Sequence, residues 1–228
     1  MDNILNNQNV VSTMISIIEN LNEPWGIKDA ASRHVYMNNA ARLYTSTPQN
    51  FAIEGKSDRD FPAAWSELAA GFIEHDKLAE QADKSVSVIE TDFWYGKNEL
   101  QPYLSEKIPL KTFTGDCMGT LWNAREIRLL SPMVCIGRKK SSILHTRTDL
   151  KIFTKCELDV IFLMLKRLSS KEISKLLEKS VNTITNRISI IYQKADVHSI
   201  IQLEEYCKTN NLDNYIPPSL LNKGISFI

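Results

Sequence analysis

The spacing of apolar residues changes twice along the chain and divides it into three stretches. In residues 4–21, Ile4, Val11 and Ile18 lie seven positions apart, which predicts an amphipathic helix. The helix is expected to end before Pro24, because proline disfavours helical backbone in the residue that precedes it. Beyond that proline the apolar spacing is short and alternating, and after Asp149 it becomes helical again.

The middle stretch predicts strands separated by helices. Five segments have the alternation and the β-branched or aromatic content typical of strands: residues 25–28, 34–37, 86–95, 103–113 and 118–127, the last with a possible continuation to residue 136. Asn38 is suited to cap a short helix after the second strand. A longer helix is expected from about Phe61 to Glu80, with Trp65 and Phe72 on one face. The order is therefore strand, strand, helices and three strands.

The last stretch predicts four short helices. The first three carry apolar residues at helical spacing: Leu158, Ile161, Phe162 and Leu165; Ile173, Leu176 and Leu177; and Ile184, Ile188, Ile191 and Ala195. Thr154 has Glu157 three residues further on, which is a capping-box arrangement. The fourth helix is expected over residues 198–209. Helices this short are unstable alone, so they must share one core, and two of them fit a helix-turn-helix.

Composition changes this picture through the distribution of charge. The 228 residues include 27 Lys+Arg and 27 Asp+Glu, so the net charge is zero. Residues 1–137 contain 12 basic and 18 acidic side chains, whereas residues 138–211 contain 14 and 8. An acidic domain joined to a basic one is expected, and the basic domain favours a nucleic-acid partner.

Several function classes have no signal in this sequence. The four cysteines, Cys117, Cys135, Cys156 and Cys207, form no CxxC pair and are expected to be reduced thiols rather than metal ligands. No GxSxG, P-loop, GxGxxG or HExxH motif occurs, so no enzyme activity, no catalytic residue and no metal site is predicted. The polar N-terminus and the short apolar runs predict a cytoplasmic protein without a membrane partner.

The strand order and three local segments resemble a PAS domain over about residues 23–137. The segments are Val35 to Ala41, Gly55 to Asp60 and Glu74 to Lys77. The resemblance implies an α+β fold, in which a five-stranded antiparallel sheet has helices on one face and serves sensing or dimerisation. Aromatic residues of this domain either line a ligand pocket or simply fill its core: Trp25, Tyr36, Phe61, Trp65, Phe93, Trp94 and Trp122.

No cofactor is predicted, and a small-molecule PAS ligand of unknown identity is an open alternative. Glu74, His75 and Asp76 are adjacent on a predicted helix and point in different directions, so they do not form a joint site. We expect His75 to be a surface or domain-packing residue rather than a haem ligand.

The C-terminal stretch is similar to the LuxR/NarL/FixJ-type DNA-binding domain. The similarity lies in Phe153 to Ile161, Ser169 to Ser174 and Ser180 to Arg187, followed by Ile191, Lys194 and Val197. It implies an all-α, four-helix domain that binds double-stranded promoter DNA. The sequence departs from the family pattern at Arg167, where glycine is usual, and at Thr185 and Arg187, where lysine and histidine are usual.

The third helix is the predicted recognition helix. If its isoleucines face the core, four polar residues face outward as candidate base contacts: Asn182, Thr185, Asn186 and Ser189. Five others are candidate phosphate contacts: Thr154, Lys155, Lys171, Arg187 and Lys194. The alternative is that this polar face is only the solvated side of a bundle helix.

The predicted domains are residues 1–22 (amphipathic helix), 23–137 (PAS-like), 138–151 (basic linker), 152–211 (DNA-binding) and 212–228 (a tail without an interpretable signal). A homodimer is expected, with Ile15, Ile18, Ile200 and Leu203 as candidate interface residues. RNA polymerase is a further candidate partner. The sequence thus predicts a transcription regulator, with a protein-interaction adaptor that does not bind specific DNA as the alternative.

Overall fold

A computed structural model describes residues 7–129 and 142–228. These residues form two compact units, one from residues 7–127 and 222–228 and the other from residues 128–129 and 142–221. We call them the sheet unit and the helical unit. Residues 222–228 therefore belong to the sheet unit, although the residues directly before them belong to the helical unit.

The sheet unit begins with helix α1 (Asn7–Ile18), and its antiparallel sheet has six strands. The strands are β1 (Trp25–Asp29), β2 (His34–Met37), β3 (Val86–Asp92), β4 (Gln101–Lys111), β5 (Cys117–Glu126) and a C-terminal strand, β8 (Gly224–Phe227). Their spatial order is β2-β1-β5-β4-β3-β8. Helices α2 (Asn39–Tyr44) and α3 (Ala69–Gln81) complete the unit together with 3-10 turns at Asp58–Asp60, Ala64–Leu68 and Trp94–Gly96.

The α+β fold class and the five predicted strands are confirmed, and strand β8 is an addition from the predicted tail. The predicted helix start at Phe61 is wrong. Phe61 has extended backbone because Pro62 follows it, and regular α-helix begins only at Ala69. The predicted strand 86–95 ends at Asp92, where a 3-10 turn follows. The predicted continuation of the last strand beyond residue 129 lies outside the described residues.

Local sequence explains where the helices start. Asn38 accepts a hydrogen bond from the Ala41 amide and so caps α2, as predicted.

The buried core of the sheet unit lies between the sheet and the helices. It is mainly aromatic and includes Tyr44, Phe61, Trp94 and Trp122.

The helical unit has the four helices that the periodicity predicts. They are α4 (Lys155–Leu165), α5 (Ser170–Leu176), α6 (Val181–Ala195) and α7 (Ile200–Thr209). Capping boxes at Thr154 and Ser169 start α4 and α5. Two short strands, β6 (Arg128–Leu129) and β7 (Ser142–Ile143), pair beside them. Part of the predicted linker, residues 142–151, thus belongs to this unit, and residues 138–141 lie outside the described part of the chain.

Candidate ligand cavity and nucleic-acid interface

The sheet unit encloses a cavity of about 30 Å³ next to its aromatic core. The lining combines aromatic and charged side chains: Lys28, His34, Tyr44, Thr45, Asp58, Trp65, Phe72, Glu90, Trp94, Ser105, Lys107 and Trp122. Strands β1 to β5 and helices α2 and α3 all contribute to it. The cavity is therefore held by five of the six strands and two helices rather than by one loop.

Three of the seven predicted pocket aromatics, Trp65, Trp94 and Trp122, line this cavity. Phe61 packs nearby with its ring 4.7 Å from that of His34. The other three are placed elsewhere: Trp25 is half-buried at the start of β1, Tyr36 lies in a surface groove beside α2, and Phe93 is 43% exposed. Their assignment to the pocket is not supported. Trp25 lies on the opposite face of β1 from Lys28, a register shift in the β1–β2 pairing separates Tyr36 from His34, and Phe93 follows the end of β3.

The centre of the cavity wall is a buried charge network that sequence analysis missed. Lys28 Nζ lies 2.5 Å from the Asp58 carboxylate and 3.1 Å from that of Asp76. Lys107 contacts the other Asp76 oxygen and donates to the Phe72 carbonyl at 2.7 Å. His34 Nε2 lies 2.8 Å from Asp58. Two ammonium groups thus face two carboxylates, and the charges balance.

Burial and pairing act in opposite directions on the pKa values in this network. Burial alone would lower the pKa of Lys28, but Asp58 and Asp76 raise it above its usual range. Burial would raise the pKa of Asp58, but Lys28 and a hydrogen bond with His34 lower it overall. Burial and the neighbouring Lys28 lower the pKa of Lys107. Lys28 is therefore an ammonium and Asp58 a carboxylate at neutral pH, whereas burial works against the charge on Lys107.

The same wall has hydrogen-bonding capacity left over. Burial raises the pKa of Glu90, whose carboxyl lies 3.4 Å from the Tyr44 hydroxyl. Trp122 Nε1 and His34 Nδ1 are buried and have no hydrogen-bond partner among the described residues. A small polar molecule in the cavity would find both donors and acceptors there.

His75 is fully buried, so the prediction of a surface position is wrong and that of a packing residue holds. Its Nε2 lies 2.8 Å from the Val86 carbonyl oxygen. Burial and the charge of Lys107 lower the pKa of His75 to about 4, so the ring is neutral at physiological pH. Asp76, its neighbour, points into the charge network instead. The two side chains do not share a site, as expected from their adjacency.

The helical unit presents the polar face that was predicted on α6. Ile184 and Ile191 are fully buried in the core of the unit, on one side of the helix. The four candidate base contacts are exposed on the other side: Asn182, Thr185, Asn186 and Ser189. The hydroxyls of Thr185 and Ser189 bond back to helix carbonyls. The two asparagine amides have no such internal partner within the described structure.

The candidate phosphate contacts are not equally available. Lys155 and Lys171 are exposed, and Arg187 is half-buried. Lys194 is held within the unit, since its ammonium lies 2.8 Å from the Glu157 carboxylate. That carboxylate also accepts from the Thr154 amide in the cap of α4. Lys194 is therefore a structural residue, and its role as a phosphate contact is not supported.

Arg167 adopts a backbone conformation that would favour glycine, the residue usual at this position of the LuxR/NarL/FixJ-type pattern. Its φ is +65°, in the left-handed region, and the turn between α4 and α5 is preserved. Its guanidinium lies 2.5 Å from Glu204 of α7. The departure from the pattern thus leaves the turn in place, at the cost of local backbone strain.

Two of the four candidate interface residues cannot supply surface to a partner. Ile18 and Leu203 are buried within the chain, Leu203 completely, because each is the inward position of its helix. Ile15 and Ile200 are half-buried. In the same two helices, Ile17 is exposed beside Ile18, and Ile201, beside Ile200, is 71% exposed.

Neither a membrane-spanning helix nor a metal site is found in the described parts of the chain. Among residues 7–129 and 142–228, every helix is too short or too polar to cross a bilayer. The same ranges hold no group of three His, Cys, Asp or Glu side chains suited to a metal ion. Cys117, Cys156 and Cys207 are free thiols, and Cys135 lies outside the described residues.

Comparison with known proteins agrees with this architecture. The PAS fold family PAS_4 matches residues 18–131, half of the chain, and the chain belongs to this family. The whole chain is similar in fold to Vibrio cholerae VqmA solved with a ligand and DNA, with 23% identity, a TM-score of 0.74 and coverage of 95% of this chain and 97% of that one. Phage VqmA solved with DPO has 22% identity, a TM-score of 0.72 and 97% coverage of both chains. No curated protein sequence matches.

Proposed function

We propose that this protein is a sequence-specific DNA-binding transcription regulator whose PAS cavity takes a small molecule. The observation that carries the proposal is the exposed polar face of α6, which lies opposite a fully buried isoleucine stripe in a helix-turn-helix. Similarity in fold to proteins solved with DNA and with small ligands supports both halves of the proposal. Such a regulator acts on chromosomal DNA in the cytoplasm, and RNA polymerase is its expected further partner.

The proposed readout separates base contacts from phosphate contacts. Asn182 and Asn186 have free amides, which can pair with adenine edges in the major groove. Lys155 and Lys171 stand at the starts of α4 and α5 and would set the docking position through phosphates. Pairing two such units matches a two-fold symmetric operator, so we propose a homodimer with Ile17 and Ile201 in its apolar contacts.

The proposed ligand is small and carries no net charge. The charges of Lys28, Lys107, Asp58 and Asp76 neutralise one another, so an ionic ligand would disturb the balance. The unpaired Trp122 Nε1 and the Glu90 carboxyl offer it one donor and one polar partner. This combination favours an uncharged polar molecule over a purely apolar one.

The DNA-binding proposal is tested by anisotropy titrations of the full-length protein against chromosomal fragments at ~0.15 M salt. Some fragments should bind far more tightly than random DNA. Asn186→Ala should cost about 1 to 3 kcal/mol on such a fragment with little change on random DNA.

Lys171→Ala should instead weaken binding to both kinds of DNA and lower the salt slope by about one per subunit. Lys84→Ala, an exposed lysine of the sheet unit, is the matched charge control and should change neither. If all fragments bind equally weakly and Asn186→Ala changes none of these affinities, the adaptor alternative is favoured.

A further inference from the structure

One wall of the cavity is a single side-chain layer thick. Trp65 and Thr45 line the cavity, and the same two residues line a surface groove of about 460 Å³. The groove is bounded further by the turn at Pro62 to Ala64 and by the segment from Asp92 to Asn98. The Trp65 ring and Thr45 therefore face both the groove and the cavity.

The Trp65 wall is built from an element of low intrinsic stability. Trp65 lies in the 3-10 helix Ala64–Leu68, which has no side-chain cap at its start. Short 3-10 helices have poorer hydrogen-bond geometry than α-helices. The indole N–H donates to the Thr45 carbonyl oxygen at 2.8 Å, which closes the wall across the groove.

A lysine from the other end of the chain holds this helix in place. Lys223 Nζ donates to the Ala64 carbonyl at 3.1 Å and to the Glu67 carboxylate at 3.2 Å. The same ammonium lies 3.4 Å from Asp92 at the end of β3. Lys223 therefore ties the Trp65 helix to the sheet at the rim of the groove.

Strand β8 anchors this lysine. Gly224 to Phe227 pair with Thr91 to Val88 of β3, and Ile225 packs against the aromatic core. The fit is close, since a Cβ added at Gly71 of α3 would lie 2.8 Å from the Ile225 side chain. The pairing places Ile225 opposite Glu90, whose carboxyl lines the cavity. The C-terminal strand is thus directly behind the cavity wall.

We propose that residues 223–227 are a strap that keeps the Trp65 wall closed, so that release of the strap opens the cavity to the groove. This inference rests on the proposed function only in treating the cavity as a ligand site. Because a ligand enters and leaves through the open state, release of the strap would set the rate of ligand exchange with the cavity. Lys223 acts as a positioning residue for the Trp65 helix rather than as a ligand contact.

The test measures access to the cavity without any ligand. Ser105 lines the cavity and is 1% exposed, so Ser105→Cys places a thiol inside it. In the full-length protein, labelling of that thiol by methyl methanethiosulfonate is followed by peptide mass spectrometry. When opening is fast and reversible, the labelling rate is proportional to the open population.

Lys223→Met should raise the labelling rate about fivefold, since it removes a partly exposed three-partner contact. Lys111→Met is the matched control, because Lys111 likewise joins a backbone carbonyl and a carboxylate, those of Ala82 and Asp83, and lines neither the cavity nor the groove. It should leave the rate unchanged. Deletion of residues 223–228 should raise the rate further than Lys223→Met does.

Equal rates in the two lysine variants, or no change in Lys223→Met, would overturn the strap. An equal free energy of unfolding for the two lysine variants in urea titrations shows that a difference in labelling does not report global unfolding. Failure of the DNA-binding proposal would leave these rates unaffected, so the two outcomes are distinguishable.

Discussion

The burial of His75 predicts that the sheet unit loses stability in mild acid. The folded unit keeps the ring neutral with a pKa of about 4, against an ordinary value of 6.5. The unfolded chain therefore binds a proton more readily, and stability falls as the pH drops from 6.5 towards 4. The free energy of unfolding should be about 1.4 kcal/mol lower at pH 5.5 than at pH 8. The loss approaches a limit of about 3.4 kcal/mol well below pH 4.

The perturbation that isolates this effect is His75→Gln. A glutamine amide can still donate to the Val86 carbonyl, which lies 2.8 Å from His75 Nε2, but it does not take up a proton. Other groups in the network, such as Glu90, titrate equally in both proteins and cancel in the comparison. The wild type should therefore lose about 1.4 kcal/mol more than the variant between pH 8 and pH 5.5.

Tryptophan fluorescence in urea titrations is the assay, because all four tryptophans lie in the sheet unit: Trp25, Trp65, Trp94 and Trp122. The signal thus reports this unit and not the helical one. His198→Gln, at an exposed position of the helical unit, is the control and should keep the wild-type dependence on pH. Parallel pH profiles for the wild type and His75→Gln would refute the reasoning.

Three further substitutions test other parts of the structure. Arg167→Gly should stabilise the helical unit by about 1 kcal/mol, because it removes left-handed backbone strain while the lost exposed ion pair with Glu204 contributes only about 0.5 kcal/mol. Urea titrations followed by circular dichroism measure this, and a loss of stability would show that the ion pair outweighs the strain. Ile201→Asp should weaken the proposed dimer in sedimentation velocity at tens of micromolar, and an unchanged dimer would exclude α7 from the interface. Lys28→Met should destabilise the sheet unit by about 3 to 5 kcal/mol, because it leaves two buried carboxylates without their partner. A change below about 1 kcal/mol in the fluorescence assay would contradict the burial of this network.

The helical unit was predictable because its signals are local. Capping boxes at Thr154 and Ser169 and the stripe through Ile184 and Ile191 lie within single helices. The orientation of α6, and hence its polar face, follows from those isoleucines alone. The engagement of Lys194 by Glu157 could not be predicted in the same way, because it joins two helices whose relative placement depends on the complete core.

The sheet unit was less predictable wherever pairing is distant in sequence. Strand β8 has only four residues, and its partner β3 lies more than a hundred positions earlier. Such a strand has no hairpin signal, so the tail gave no interpretable pattern. That the helix predicted from Phe61 cannot start there was available in principle, because Pro62 restricts the residue before it.

The cavity shows why aromatic content alone was a poor guide to the site. Sequence reasoning selects large apolar residues, since lysine and aspartate are rarely buried unless they are paired. Here the pairing is formed by Lys28 of β1, Lys107 of β4, Asp76 of α3 and Asp58 of a 3-10 turn, which only the tertiary fold brings together.

A buried network of this kind contributes little net stability compared with an apolar core of equal volume. Its more specific effect is to fix four elements around one polar space. A change in any one of these elements leaves a charge without its partner, so the cavity wall has few intermediate arrangements. If the cavity takes the proposed ligand, substitutions in the charge network should therefore alter the response to that ligand more strongly than substitutions elsewhere in the sheet unit.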